Sequence, residues 1–64
     1  MIKEAIAKFM EGQSLSRKEA YEVMDEILAE KATEAQISAF LVALQLKGST
    51  VDELAGSVDA YKER

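Results

Sequence analysis

Apolar side chains recur at helical spacing along almost the whole chain, and no segment alternates with period two. The first stripe, Ile2, Ala5, Ile6, Phe9 and Met10, predicts a helix over residues 2–11, with Gly12 suited to the left-handed position just past its end. The second, Ala20, Val23, Met24, Ile27 and Leu28, predicts a helix over 17–30 whose opposite face carries Glu19, Glu22, Asp25, Glu26 and Glu30. A third helix is expected over 34–47, closed by Lys47 and Gly48, and a fourth over 51–63 with the stripe Val51, Leu54, Ala55, Val58 and Tyr61. Three of the starts carry the same signature. Ser16 with Glu19, Thr33 with Gln36 and Thr50 with Glu53 each have the spacing of a capping box, in which two side chains satisfy otherwise unpaired N–H groups. The breaks are short: Gly12-Gln13-Ser14, Lys31-Ala32-Thr33 and Gly48-Ser49-Thr50. Connections of this length place neighbouring helices side by side, so the fold class is all-α, a compact four-helix bundle in a single domain over 1–64. Gly56, inside the fourth helix, costs about 1 kcal/mol relative to Ala and is read as a point of close approach by another helix.

The third helix is apolar on nearly every side. Its bulkiest stripe, Ile37, Phe40, Leu41 and Leu44, is assigned to the core, against the other three helices. A flatter stripe, Ala35, Ala39, Val42 and Leu46 with Ala43 beside it, is assigned to an interface, because a helix greasy all round must be enclosed or covered by a partner.

Size strengthens that expectation. A chain of 64 residues hides only about 60% of the surface its unfolded form exposes and usually needs disulfides, metal or oligomerisation. There is no Cys and no His, which removes disulfides and argues against a transition-metal site. Association is left, as a homo-oligomer with a dimer favoured, or docking on a larger body. The net charge of −4 argues against nucleic acid and against anionic membrane surfaces. No apolar run approaches the ~20 residues that span a bilayer, and Met1-Ile2-Lys3-Glu4 lacks the start of a signal peptide. The expected location is the cytoplasm.

Catalytic chemistry is not visible. None of Ser14, Ser16, Ser38, Ser49 and Ser57 has a base nearby in sequence, so no nucleophile is assigned. The acidic face of the second helix reads as a solvated face. Gly12, Gly48 and Gly56 are scattered singly, unlike a phosphate-cradling loop. No catalytic, cofactor-binding or metal-binding residue is assigned.

Several blocks carry a resemblance: Leu15-Ser16-Arg17-Lys18-Glu19-Ala20, Met24-Asp25-Glu26-Ile27-Leu28, Ala32-Thr33-Glu34-Ala35-Gln36-Ile37, Ala39-Phe40-Leu41-Val42-Ala43-Leu44, Lys47-Gly48-Ser49-Thr50 and Glu53-Leu54-Ala55-Gly56. Together they make the chain resemble, over its whole length, the N-terminal helical domain of anthranilate phosphoribosyltransferases. The related domain of pyrimidine nucleoside phosphorylases is the nearest competitor, and a standalone or engineered helical interaction module is a further alternative. The resemblance implies a parent enzyme that moves phosphoribosyl from phosphoribosyl pyrophosphate to anthranilate with magnesium, in tryptophan biosynthesis. It also implies that the catalytic α/β domain lies outside this sequence and that the helical domain supplies a homodimer interface and one wall of the substrate cleft. On that basis the chain itself is expected to be non-catalytic and to hold no cofactor, and its partners to be a second copy and the catalytic domain. Four positions depart from the family pattern. Glu30 stands where Gly is common, Glu34 where Pro is common, and Asp59 and Tyr61 where Arg and Met are frequent.

Overall fold

The computed structural model describes residues 1–63. Within them lie four α-helices and no strand: α1 (Ile2–Met10), α2 (Arg17–Leu28), α3 (Glu34–Lys47) and α4 (Val51–Lys62). All three capping boxes form in both directions, at Ser16/Glu19, Thr33/Gln36 and Thr50/Glu53. The residue before each of the first two boxes also takes part. Leu15 joins the core with Ala20, and Ala32 packs on it with Ile37, the spacing of a hydrophobic staple. Leu15 lies in a connection, so the stripes alone do not include it.

The helix ends fall slightly short of the sequence expectation, for a reason visible in the backbone. α1 stops at Met10. The N–H groups of Gly12 and Gln13 donate back to the carbonyls of Phe9 and Lys8 at 2.9 Å each, and Gly12 takes φ +76°. This is a Schellman closure. α2 stops at Leu28 in the same way, two residues before the expected end. Glu30 N–H donates to Ile27 and Lys31 N–H to Glu26. Here the left-handed position, φ +60°, is occupied by Glu30, a residue with a Cβ. The departure from glycine at this position is thus a local strain of about 1 kcal/mol.

Packing divides the helices into two pairs. α2 and α4 form the most extensive pairing and α1 and α3 the next, with a smaller contact between α1 and α2. The apolar core is Ile2, Ala5, Phe9, Leu15, Ala20, Val23 and Phe40, with the Phe9 and Phe40 rings 5.3 Å apart. α3 therefore packs mainly on α1 rather than on all three other helices. Its inner face is centred near Phe40, with Ile37, Ala43 and Leu44 partly buried around it. Successive residues turn by about 100°, which carries Leu41 to the rim, where it is exposed, and Ala43 inward. The assignments of Leu41 to the core and Ala43 to the outer face are corrected accordingly.

The larger correction concerns α4. Its stripe Val51, Leu54, Val58 and Tyr61 faces outward, and Val51 is 82% exposed. The buried positions are Glu53, Gly56 and Ala60 on the opposite side. The cause is close approach. A Cβ on Gly56 would lie 2.1 Å from the carbonyl oxygen of Arg17 and 2.9 Å from the Cβ of Ala20. Gly56 thus acts as the close-approach point expected of it, and with Ala60 four residues on it draws the small-residue face of α4 onto α2.

Two substitutions test these readings by sign. Gly56→Ala raises helix propensity, yet should destabilise the chain by about 1–3 kcal/mol, because the methyl meets backbone. Glu30→Gly lowers propensity, yet should stabilise by roughly 0.5–1 kcal/mol by relieving the left-handed turn. Urea unfolding of each variant measures both.

Candidate interaction surface

The stripe proposed from sequence comes together on the outer side of α3. Ala35, Ala39, Val42 and Leu46 follow one another at spacings of four, three and four, all exposed; Val42 is 60% and Leu46 83% exposed. Ala43 sits at the border and turns to the core. Near the C-terminal end of the stripe, Leu46 and the exposed Met10 flank a shallow cleft that also touches Phe9, Gly12, Ala43 and Lys47. Met10 was counted with the first helix's inward stripe; its outward position follows from lying one residue past Phe9, which holds the core. α4 adds a second apolar face, Val51, Leu54, Val58 and Tyr61, spaced three, four and three. That spacing was read as a buried face, and the sequence signal against it was the small pair Gly56 and Ala60 at i and i+4. Two unpartnered apolar faces on so small a chain exceed what a monomer's surface usually carries.

Between these faces lies a buried polar node. Glu53 is the one charged residue buried among the described residues. Its carboxylate accepts from the Leu15 N–H at 2.8 Å, from the Thr50 N–H at 2.8 Å and from the Lys47 ammonium at 2.9 Å. Lys47 also donates to the Gly48 carbonyl and the Ser14 hydroxyl, and lies 5.0 Å from the centre of the Phe9 ring. Their side chains are only 7% and 5% exposed. Burial pushes the Glu53 carboxyl up, but the Leu15 N–H, the Lys47 ammonium and the Thr50 N–H outweigh it and hold the carboxyl below the usual glutamate value.

The remaining charges are structural. Of the acidic face of α2, Glu19 pairs with Lys8 at 2.9 Å and Glu26 with the Met1 ammonium at 2.8 Å. Lys8 and the Ser16 N–H lower the Glu19 carboxyl. Arg17 grips Asp59 through two hydrogen bonds, 2.7 and 3.0 Å, which lowers the Asp59 carboxyl. Asp59, a departure from the family pattern, is thereby given a partner on α2. Among the described residues no group of three or more acidic, histidine or cysteine side chains is arranged to hold a metal ion. No helix of the described residues is long and apolar enough to cross a membrane. Ser57 donates to the Glu53 carbonyl one turn earlier, and Ser16 caps α2.

Comparison with known proteins fits this all-helical arrangement. Residues 3–64 match the helical bundle domain of the glycosyl transferase family. The chain belongs to this family. It is 55% identical over 64 residues to an anthranilate phosphoribosyltransferase of Anaeromyxobacter sp. (strain K), which covers all of this chain and 19% of that protein. A second, from Geotalea daltonii, is 48% identical over 64 residues, covering all of this chain and 18% of the relative. A third, from Methanobrevibacter smithii, is 48% identical over 62 residues, 97% of this chain and 18% of the relative. The chain thus matches the N-terminal helical domain of such enzymes and spans about a fifth of the length of the relatives. No solved structure matches it.

The node makes the sharpest stability test within this family member. Glu53→Gln leaves the Lys47 ammonium buried without its counter-charge, at a cost of about 3 kcal/mol. That is a large part of the roughly 3–10 kcal/mol expected for a chain of this size. Adding Lys47→Met should recover part of the loss, since the orphaned charge goes too. The pH dependence follows from the lowered carboxyl. Its contribution is present above the unfolded glutamate value of about 4.3 and is lost as pH falls through the lower folded value. Denaturant titrations between neutral and strongly acid pH should show a shallower acid loss in Glu53→Gln than in the wild type.

Proposed function

We propose that this chain is the association domain of an anthranilate phosphoribosyltransferase, joining two copies of the enzyme and forming one wall of its substrate cleft. The reading is carried by one observation. A chain that aligns end to end with the helical domain of those enzymes presents an unpartnered apolar face along α3, formed by Ala35, Ala39, Val42 and Leu46. Ala35 and Ala39 are small enough to let another helix approach closely, and Val42 and Leu46 supply hydrocarbon at the same face. Nothing in the chain assembles a nucleophile with a base or a cradle for pyrophosphate. Transfer of phosphoribosyl from phosphoribosyl pyrophosphate to anthranilate, with its magnesium, falls to the rest of such a protein. The chain itself is then silent in catalysis, acts in the cytoplasm, and takes a second copy and the catalytic domain as partners.

Sedimentation tests the association. The wild-type chain should sediment as a dimer at high concentration. Val42→Glu or Leu46→Asp should shift it to monomer with helical circular dichroism retained, since both side chains are exposed in the single chain and neither holds its core. A wild type that stays monomeric at high concentration would falsify the α3 seam.

A further inference from the structure

The core cluster draws on α1, α2, α3 and the α1–α2 connection, and no residue of α4 belongs to it or packs against it as a partly buried hydrophobic. α4 is seated on α2 through Glu53, Gly56 and Ala60. Gly56 brings no side chain and Ala60 a single methyl, so docking removes little hydrocarbon from water. The pairing is extensive because two backbones run close together, not because large side chains interlock. What fastens α4 is polar: the Glu53 carboxylate on the Leu15 N–H and Lys47, the Arg17–Asp59 fork, and the Tyr21 hydroxyl donating to Glu63. The covalent link to α3 is only residues 48–50, and it includes Gly48 at φ +93°, where a glycine turns freely.

We infer that α4 is a polar-latched arm, which leaves α2 as a unit about residues 48–50 while α1–α3 stay folded, with Glu53 as its catch. Segments with few buried apolar contacts are those that open below the global unfolding free energy. Opening also returns Glu53 and Lys47 to water, relieving the desolvation both bear when docked. No orphaned charge is stranded by the movement. The arm thereby exposes the Ala20 side of α2 and the small-residue face of α4 together.

Native-state hydrogen exchange on the 64-residue chain, at a concentration where sedimentation shows one species, reads this directly. Amides from Leu54 to Lys62 should share one level of protection, at least about tenfold below that of the core amides of α1–α3, with little dependence on low urea. Asp59→Asn should speed exchange across α4 several-fold and leave α1 and α3 unchanged; Glu53→Gln should do so more strongly. Three results would overturn the inference: α4 protected to the same level as α1–α3, a gradient rising from Lys62 to the core level at Gly56 as in simple end fraying, or an Asp59→Asn variant that speeds all four helices equally. Should Glu53→Gln fail to fold, the wild type and Asp59→Asn still decide it.

Discussion

One carboxylate joins the separate parts of this fold. Glu53 closes the capping box of α4, ties down the N–H of Leu15 at the mouth of α2 and neutralises Lys47 at the end of α3. Three segments distant in sequence therefore meet at one buried group. Replacing a buried ion pair by apolar residues is often neutral or stabilising, whereas breaking it is costly. Its value here is geometric. Leu15 carries a core side chain on a backbone that has no helical partner at that point, and the Glu53 oxygen is what satisfies its N–H. Without that acceptor, the core residue and the start of α2 lose their common anchor.

The same group accounts for the orientation of α4. A helix can ordinarily be placed by turning its greasiest stripe inward. α4 does the reverse: Val51, Leu54, Val58 and Tyr61 face water, and Glu53, Gly56 and Ala60 face α2. Two constraints select that rotation. Only the Gly56 side allows the backbone to reach the Arg17 carbonyl without collision, and only that side delivers the Glu53 carboxylate to Leu15 and Lys47. Turning the valine and leucine stripe inward would hold the backbones apart and leave Lys47 buried without a counter-charge.

Much of this was legible in the residues, though unevenly. The three capping boxes and Gly12 fix where helices begin and where α1 ends, because they act through local hydrogen bonds that the sequence spells out at fixed offsets. The end of α2 was harder, since its left-handed residue is Glu30 and no glycine marks it. The outer stripe of α3 emerged as expected at Ala35, Ala39, Val42 and Leu46, whereas Ala43 and Leu41 exchanged roles through the particular rotation of α3 on α1. The Glu53 node was half visible. Its capping role follows from the spacing to Thr50, but its hold on Leu15, 38 residues away, depends on tertiary structure that no local pattern encodes.

The error on α4 carries a physical lesson about pieces of larger assemblies. Amphipathicity says that a stripe is to be covered; it does not say by which part of which chain. In α1 and α2 the cover is the chain's own core. In α3 and α4 the apolar faces are left over after the core is complete, and they lie on helices belonging to different pairs. A single flat partner helix could shield one of them. Shielding both requires either a partner that wraps two sides of the bundle or two separate partners. For a chain spanning about a fifth of its relatives' length, surplus apolar surface on two faces is therefore better understood as unfinished burial than as a defect of folding.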